Sequence, residues 1–266
     1  MPNRRITKAV IPAAGRGTRL LPLTRAIPKE LVPLGRKPVL EHIVDESVES
    51  GITDVLFVIS EEKTAIKTYF GDSKGNVRFF YVNQAEQKGL ADAIYCGREF
   101  VGDEPFAVAL GDSVICTDQN VLPFRRVIDT FEKTDASAVI VVEKTPRAEL
   151  SRYGIVEPKD QVAPIFQISD LVEKPKPEEA PSEYSIAGRY AFDSVIFDYI
   201  EQTPKGAGGE YQITDAIRLM LRDGHEVWCV ALGEHENRRD IGTFEVYFDA
   251  FLAEIERERK SQQTSP

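Results

Sequence analysis

A loop of small residues follows the first predicted strand, and its sequence is Ile11-Pro12-Ala13-Ala14-Gly15-Arg16-Gly17-Thr18-Arg19. Small side chains let backbone amides approach a ligand closely, and successive N–H groups in such a loop can form a nest for an anion. The loop is not a dinucleotide fingerprint, because Leu20 stands where a third glycine is needed, and no Gly-Lys-Ser/Thr follows as in a P-loop. A tight strand-to-helix turn without a ligand is the alternative interpretation.

The segments around this loop alternate between strand and helix patterns. Runs of β-branched and aromatic residues predict buried strands, and apolar stripes with helical spacing predict helices. The predicted strands are 8–12, 55–59, 77–82, 106–110 and 138–142, and the predicted helices are 39–50, 64–70, 90–100 and 121–132. This alternation predicts a doubly wound α/β sheet that binds ligands at the carboxyl ends of its strands.

The pattern changes after residue 145. Strand-like segments separated by Pro-rich loops predict an appended small sheet region with strands at 153–156, 165–173 and 185–192. The remaining predicted elements are helices at 194–202, 213–222 and 244–259 and a strand at 226–231. The polar tail 260–266 is expected to fray.

Composition narrows the class of protein. The 266 residues are 42% hydrophobic and 29% charged, which is ordinary for a globular chain, and the net charge of −10 disfavours binding to duplex nucleic acid. No apolar run approaches the roughly 18–20 residues that span a bilayer, and the run at 9–11 is too short for a signal peptide. The three scattered cysteines form no disulfide framework or metal knuckle. We therefore expect a soluble, cytoplasmic protein.

Two cationic residues follow the small-residue loop closely. Arg19 ends the loop, and Lys29 follows ten residues later between Pro28 and Pro33, which favour a fixed, non-helical segment. Amides that hold an anion, with two cations that neutralise its charge, suit a triphosphate. A solvated surface position is the alternative for each cation alone.

Two aspartates are candidate metal ligands. Asp112 follows the predicted strand 106–110 at its carboxyl end, and Asp240 lies just before Gly242. Carboxylate oxygens suit Mg²⁺, which commonly bridges protein and phosphate. The alternative is that Asp112 caps a turn and Asp240 caps the last helix.

The ordered set of motifs resembles that of the sugar-1-phosphate nucleotidylyltransferases. Residues 13–24 and Pro28-Lys29-Glu30 carry most of the resemblance, and Leu20-Leu21 and Glu30 are more similar to the uridylyl than to the thymidylyl branch. The other matching segments are Gln84 with Lys88-Gly89-Leu90, Gly111-Asp112, Val172-Glu173-Lys174-Pro175, Ala187-Gly188-Arg189-Tyr190, residues 206–215 and Arg239-Asp240-Ile241-Gly242.

The resemblance implies a Rossmann-like doubly wound mixed sheet of the nucleotide-diphosphosugar transferase type. It implies Mg²⁺-assisted formation of UDP-glucose and pyrophosphate from UTP and α-D-glucose 1-phosphate. The implied nucleotide-binding residues are Ala13, Ala14, Gly15, Gly17, Thr18, Gln84 and Gly89. The implied catalytic residues are Arg19, Lys29 and Asp112, the metal ligands Asp112 and Asp240, and the sugar-phosphate residues Glu173, Lys174 and Gly188.

Several side chains on these motifs have alternative interpretations. The amide of Gln84 is expected to pair with the uracil imide through one donor and one acceptor, next to Gly89, which leaves room for the base. Glu173 is expected to accept hydrogen bonds from sugar hydroxyls, unless it only pairs with Lys174 or Arg189. The segment 210–215 is interpreted as the structural start of a helix.

The sugar phosphate is an anion near neutral pH, so attack needs no general base. We accordingly expect His42, His225 and His235 to be surface or packing residues. The resemblance implies one domain over 1–266, with a nucleotide-binding part (1–144), a sugar-phosphate-binding part (145–242) and a C-terminal helix and tail (243–266). It also implies a homo-oligomer, a dimer or tetramer, and the acidic charge and the short apolar runs predict no nucleic-acid or membrane partner. The alternatives are a thymidylyltransferase, another sugar-1-phosphate nucleotidylyltransferase, or a non-catalytic nucleotide-sugar sensor.

Overall fold

The computed structural model describes residues 4–117 and 119–264 of the chain. Its strands are β1 Lys8–Pro12, β2 Pro33–Leu34, β3 Lys37–Pro38, β4 Asp54–Ile59, β5 Ser73–Lys74, β6 Val77–Asn83, β7 Phe106–Ala109, β8 Ser113–Cys116, β9 Ala138–Lys144, β10 Gly154–Pro158, β11 Ile165–Glu173, β12 Tyr184–Phe192, β13 Val227–Ala231 and β14 Asn237–Asp240. Its α-helices are α1 Val39–Glu49, α2 Thr64–Phe70, α3 Leu90–Tyr95, α4 Arg98–Val101, α5 Pro123–Lys133, α6 Ile196–Gln202, α7 Ile213–Arg222 and α8 Phe244–Thr264.

Ten of these strands form one mixed sheet in the order β10-β11-β13-β9-β12-β7-β1-β4-β6-β5. The neighbours β7, β1, β4 and β6 are parallel, as the alternation of strands and helices predicts. Strand β12 is antiparallel to both β7 and β9, which makes the sheet mixed. The predicted α/β fold with a doubly wound mixed sheet is thus confirmed.

The region predicted as an appended small sheet continues the main sheet instead. Strand β12 lies at the centre, and all but the first of its nine residues are buried. A strand so thoroughly buried needs ladder partners on both edges for its backbone groups, and β7 and β9 supply them. The two small separate sheets are the pairs β2–β3 and β8–β14.

Helices cover both faces of the sheet. Along β1, Ala9 and Ile11 belong to one apolar cluster with α1 and α5, while Val10 belongs to a second cluster with α3, α6 and α7. Successive side chains of a strand point to opposite faces, so the uninterrupted apolar runs of the central strands fill two cores.

Two helix predictions need correction. Residues 90–100 form two helices rather than one, with Gly97 between α3 and α4. A Cβ at Gly97 would lie 2.9 Å from a methyl carbon of Val10, so close packing on β1 requires glycine there. The tail predicted to fray from residue 260 is helical through Thr264, because Glu, Arg and Lys favour helix, and residues 265–266 lie outside the description. Within the described chain, no helix is both long and apolar enough to cross a membrane.

Candidate active site

The loops that follow β1, β4, β6 and β7 all emerge at the carboxyl edge of the parallel strands. A cavity of about 500 Å³ opens at this edge. Six of the predicted site residues line it, namely Arg19, Asp112, Glu173, Lys174, Gly188 and Asp240. The fold therefore gathers residues that are up to 221 positions apart in the sequence.

The β8–β14 pair brings the two candidate metal ligands together. Its antiparallel register places Asp240 opposite Ser113, and the Ile241 N–H donates to the carbonyl oxygen of Asp112 at 2.8 Å. Asp240 lies in a strand, so the alternative that it caps the last helix is wrong. The sequence analysis missed both short strands, although Val114 and Ile115 are β-branched.

Lys29 forms an ion pair with Asp112, one of the residues that line the cavity. Burial alone would lower the pKa of Lys29, but the charges of Asp112 and Glu30 outweigh it and raise that pKa. Burial would raise the pKa of Asp112, and the charge and hydrogen bond of Lys29 lower it. Both groups are therefore ionised at neutral pH. The end of the Lys29 side chain also lies against the small-residue loop, 3.6 Å from where a Cβ of Gly15 would stand.

Arg19 lines the same cavity and lies beside the segment that carries Asp240. A Cβ on Gly242 would lie 2.7 Å from an Arg19 guanidinium nitrogen, so the glycine allows the guanidinium to lie beside the Asp240 segment. Gly17 has a φ of 65°, and its carbonyl oxygen accepts from Thr24 at 2.9 Å. The sharp turn at Gly17 directs the chain into a short helical turn that begins at Thr18 and contains Arg19.

The two aspartates suit a divalent cation. Burial and the negative charge of Asp112 raise the pKa of Asp240, so a cation between the two carboxylates would relieve their repulsion. In the described part of the chain, no cluster of three or more His, Cys, Asp or Glu side chains could hold a metal ion. Two carboxylates with the remaining positions open to phosphate and water are typical of Mg²⁺ rather than of a closed structural site.

Glu173 and Lys174 also line the cavity. Lys174 adopts a φ of 46°, which is rare for a residue with a side chain, and its Nζ lies 3.3 Å from Glu173 Oε1. The hydroxyl of Thr214 donates to Glu173 Oε2 at 3.0 Å. Glu173 thus pairs with Lys174, as the alternative interpretation allowed, but not with Arg189, which is buried against Glu46. Thr214, expected to be structural, contacts a candidate substrate-binding side chain.

Arg238 is a cavity residue that the sequence analysis missed. Its guanidinium lies 4.1 Å from the ring centroid of Tyr153, and its Nε donates to Glu143 at 2.7 Å. Residues two apart in a strand share a face, so the assignment of Asp240 to a strand would have indicated Arg238 as well. It adds a buried positive charge beside Asp240.

The segment between β6 and α3 lies against the small-residue loop. Ala13 and Ala14 are buried, and the carbonyl oxygen of Ala14 accepts from the Gln87 amide at 2.7 Å. Gly89 has a φ of 120°, and a Cβ there would lie 2.5 Å from the carbonyl oxygen of Tyr211. Gln84 Nε2 donates to Asp92 at 2.6 Å, an arrangement that the sequence did not indicate.

The backbone at Gly188 bulges beside the cavity. Its φ is 78°, the β12 register shifts between Ile186 and Tyr190, and its carbonyl oxygen accepts from Leu110 N at 3.0 Å. The histidines lie elsewhere: His42 contacts the Leu34 carbonyl oxygen, His225 contacts the Ser137 hydroxyl, and His235 is exposed. None of the three lines the cavity, in keeping with chemistry that needs no histidine base.

The fold and the cavity at the carboxyl edge are those of a nucleotide-dependent transferase. The family model described as nucleotidyl transferase matches residues 8–257, and the chain belongs to that family. The family generally uses a divalent metal ion.

The relatives and solved structures described below are all named for one activity within this family. The chain is 39% identical to the UTP–glucose-1-phosphate uridylyltransferase of Bacillus subtilis, over 90% of this chain and 87% of that protein. It is 42% identical to UTP–glucose-1-phosphate uridylyltransferase 2 of Staphylococcus saprophyticus, over 82% of each. A UDP-glucose pyrophosphorylase complexed with UDP-glucose superposes with a TM-score of 0.88 at 30% identity, covering 95% of this chain and 99% of that one. A UTP-bound UGPase from Acinetobacter baumannii gives 0.85 at 30% identity, covering 98% and 100%.

Proposed function

We propose that the chain transfers the uridylyl group of UTP to the phosphate of α-D-glucose 1-phosphate and releases pyrophosphate. The observation that carries the proposal is that one cavity is lined by Arg19, Asp112 and Asp240 and also by Glu173 and Lys174, with Lys29 paired to Asp112. Arg19, Lys29 and the two aspartates suit a metal-bound nucleoside triphosphate, and Glu173 with Lys174 suits a phosphorylated sugar. The relatives' names and the UTP-bound and UDP-glucose-bound structures support these two substrates.

The reaction is an in-line displacement at the α-phosphorus of UTP. A phosphate oxygen of glucose 1-phosphate forms a bond to that phosphorus, and the bond from it to the oxygen bridging to the β-phosphate breaks. Pyrophosphate leaves with the electron pair. Lys29 and Arg19 would neutralise the charge that develops on the transferring and leaving phosphates, and the amides of the small-residue loop would hold them in place.

Asp112 and Asp240 would hold the metal ion, which we propose to be Mg²⁺. When bound, Mg²⁺ would supply positive charge that offsets the negative charge of the phosphates. Lys29 is paired with Asp112, so its ammonium group would lie close to the phosphates of a nucleotide bound there. Lys29 and the carboxylates thus form one charge-balanced group.

Lys174 and Glu173 would hold the second substrate. Lys174 would bind the phosphate of the sugar phosphate, and Glu173 would accept hydrogen bonds from sugar hydroxyls, with the Gly188 backbone beside them. Thr214 would hold Glu173 in position. Gln84 and Gly89 would contact the base. A thymidylyltransferase activity or another sugar phosphate is the alternative on the same site, and the names of the relatives favour UTP and glucose 1-phosphate.

The test is pyrophosphate release with Mg²⁺ and glucose 1-phosphate, with UTP, dTTP, CTP, GTP and ATP offered in parallel. Selective release with UTP supports the proposal, and preference for dTTP moves the protein to the thymidylyl branch. Lys29→Ala and Asp112→Ala should abolish turnover without unfolding, whereas Lys133→Ala, on the exposed end of α5, should not change it. Unchanged turnover in the first two variants would refute the assigned roles.

Three further predictions accompany this proposal. We assign residues 1–144 to the nucleotide, 145–242 to the sugar phosphate and 243–266 to the C-terminal helix and tail, within one domain. We expect a homo-oligomer, a dimer or tetramer, which light scattering on the purified protein measures. We also expect the protein in the cytoplasm.

A further inference from the structure

We propose that Asp92 sets the choice of nucleotide base by holding the Gln84 amide in one orientation. The inference rests on the proposed function and concerns the base-binding end of the same site. Asp92 lies in α3, one turn after Gly89, and its Oδ2 is 2.6 Å from Gln84 Nε2. Asp92 is thus a positioning residue that acts through Gln84.

The contacts of Gln84 leave one atom of its amide for a substrate. A carboxylate only accepts hydrogen bonds, so the side of the amide that faces Asp92 is the NH₂ group. The second hydrogen of Nε2 is within reach of the Gly89 carbonyl oxygen, at 3.5 Å. Because both hydrogens have protein acceptors, Oε1 is the atom left for the base. The side chain is 4% exposed, so its orientation is set by these contacts rather than by water.

This orientation differs from the sequence-based expectation of one donor and one acceptor toward the base. An amide that presents only Oε1 accepts from the N3–H of uracil or thymine. It cannot donate to N3 of cytosine, which carries a lone pair in place of the hydrogen, and the two lone pairs would repel. A site that offers a fixed polar partner rejects a base lacking the complementary group. The geometry therefore selects bases with an imide N–H.

The backbone around Gln84 fixes where this atom lies. Gln84 N donates to the Ile59 carbonyl oxygen at 2.8 Å, at the carboxyl end of β4. On the other side, Tyr211 N donates to the Lys88 carbonyl oxygen at 2.7 Å and holds the segment that contains Gly89. Gln84 and Asp92 are therefore attached to rigid elements on both sides.

The substitution Asp92→Asn tests the orientation with almost no change in shape. Asparagine can accept from Gln84 Nε2 or donate to Gln84 Oε1, so position 92 no longer excludes the turned amide, and only the long contact to the Gly89 carbonyl oxygen, at 3.5 Å, still opposes it. In the turned state Nε2 faces the base and donates to N3 of cytosine. We expect the ratio of kcat/KM for UTP to that for CTP to fall by about tenfold or more. The ratio for UTP to dTTP should stay constant, because both bases carry N3–H.

Two further variants complete the experiment. Glu86→Gln removes a charge from the same segment at an exposed side chain that pairs with Lys88, and it should leave every ratio unchanged. Asp92→Ser cannot reach Gln84 and should also lower the ratio of UTP to CTP, which provides a second test if Asp92→Asn is poorly folded. Calorimetric titration with UTP and CTP, without sugar phosphate, measures the same selectivity independently of turnover.

The outcomes separate the two proposals. A wild-type protein that neither binds nor turns over UTP refutes the proposed function. A wild-type protein that uses UTP, with Asp92 variants that lose UTP and CTP turnover in equal proportion, refutes the role of Asp92 alone. A merely structural aspartate would lower both activities together and leave their ratio unchanged.

Discussion

Lys63 and Glu30 form an ion pair that is buried directly behind the small-residue loop. The Lys63 ammonium lies 2.8 and 2.6 Å from the two carboxylate oxygens of Glu30 and 2.7 Å from the carbonyl oxygen of Ala13. Both side chains are more than nine-tenths buried. All three ammonium hydrogens therefore have acceptors, and the pair connects the loop after β1, the segment after β4 and the segment that carries Lys29.

Removal of the lysine from this pair should be costly. Lys63→Met leaves the buried Glu30 carboxylate without the ammonium group that bonds both of its oxygens, and we expect the free energy of unfolding to fall by about 3–5 kcal/mol. Urea unfolding at neutral pH measures the change. Lys88→Met, which breaks an exposed pair with Glu86, is the matched control and should cost less than about 1 kcal/mol. Equal losses in the two variants would contradict the role assigned to burial.

Gly89 should not tolerate a side chain. Gly89→Ala would place Cβ 2.5 Å from the Tyr211 carbonyl oxygen at a φ of 120°, so the segment must move away from Tyr211. We expect KM for UTP to rise at least about tenfold. Gly75→Ala has a positive φ but no atom within 4 Å of the new Cβ, so it isolates the backbone cost, about 1 kcal/mol. Steady-state kinetics of both variants make the comparison. Unchanged KM for UTP in Gly89→Ala would contradict the prediction.

Thr214 should affect the sugar phosphate and not the nucleotide. Thr214→Val keeps the shape but removes the hydroxyl that donates to Glu173. We expect KM for glucose 1-phosphate to rise about tenfold, the loss of roughly one hydrogen bond to a charged group, with KM for UTP unchanged. Thr130→Val removes a comparable hydroxyl that bonds within α5 and should alter neither KM. Equal increases in both KM values for Thr214→Val would indicate general disruption instead.

The surface ion pairs of Lys74 with Glu41 and Asp45 should make the free energy of unfolding depend on pH. Lys74 Nζ lies 2.9 Å from Glu41 and 2.9 Å from Asp45. Partial burial raises the pKa of each carboxyl, but the hydrogen bonds and charges of their partners, Lys74 among them, outweigh it and lower both pKa values. Because the folded-state values lie below those of the unfolded chain, this stabilisation is present above the unfolded-state pKa, about 4, and is lost as the pH falls through the folded-state pKa.

Lys74→Met should therefore lower the free energy of unfolding at pH 7, by less than about 1 kcal/mol because the lysine is half exposed. The loss should shrink as the pH falls below about 4, where the carboxyls become protonated. Urea unfolding at pH 7 and pH 3 measures both values, and a loss of the same size at pH 3 would count against the ion pairs.

Much of the fold was predictable because the buried strands carry continuous apolar runs. Strands β1 and β11 and helices α2 and α7 have the predicted bounds, and most other predicted elements shift by a few residues. The short strand β14 was missed because Asn237-Arg238-Arg239-Asp240 is polar and resembles a loop. The central place of β12 was missed because local pattern carries no information on which distant strands pair.

Some residues of the candidate site were likewise predictable from the sequence, and others were not. The small-residue loop and the cations that follow it indicated Arg19 and Lys29, because such a loop and clustered charges have a local signature, whereas Glu173 and Lys174 were indicated by the family resemblance. Arg238, Lys63 and Asp92 had no such indication, and Thr214 was interpreted only as part of a helix start, because the contacts of these side chains are with residues far away in the sequence or on another element.

The amino-acid sequence alone specifies the small-residue loop, the cations that follow it and the strands and helices, because these depend on local backbone freedom, charge and periodicity. The partnership of Asp112 with Asp240 depends on the tertiary structure. The two aspartates are 128 positions apart, and only the hydrogen-bond register between β8 and β14 places one beside the other. That register forms only when the surrounding sheet and its helices have packed, because two four-residue strands are too short to pair stably by themselves.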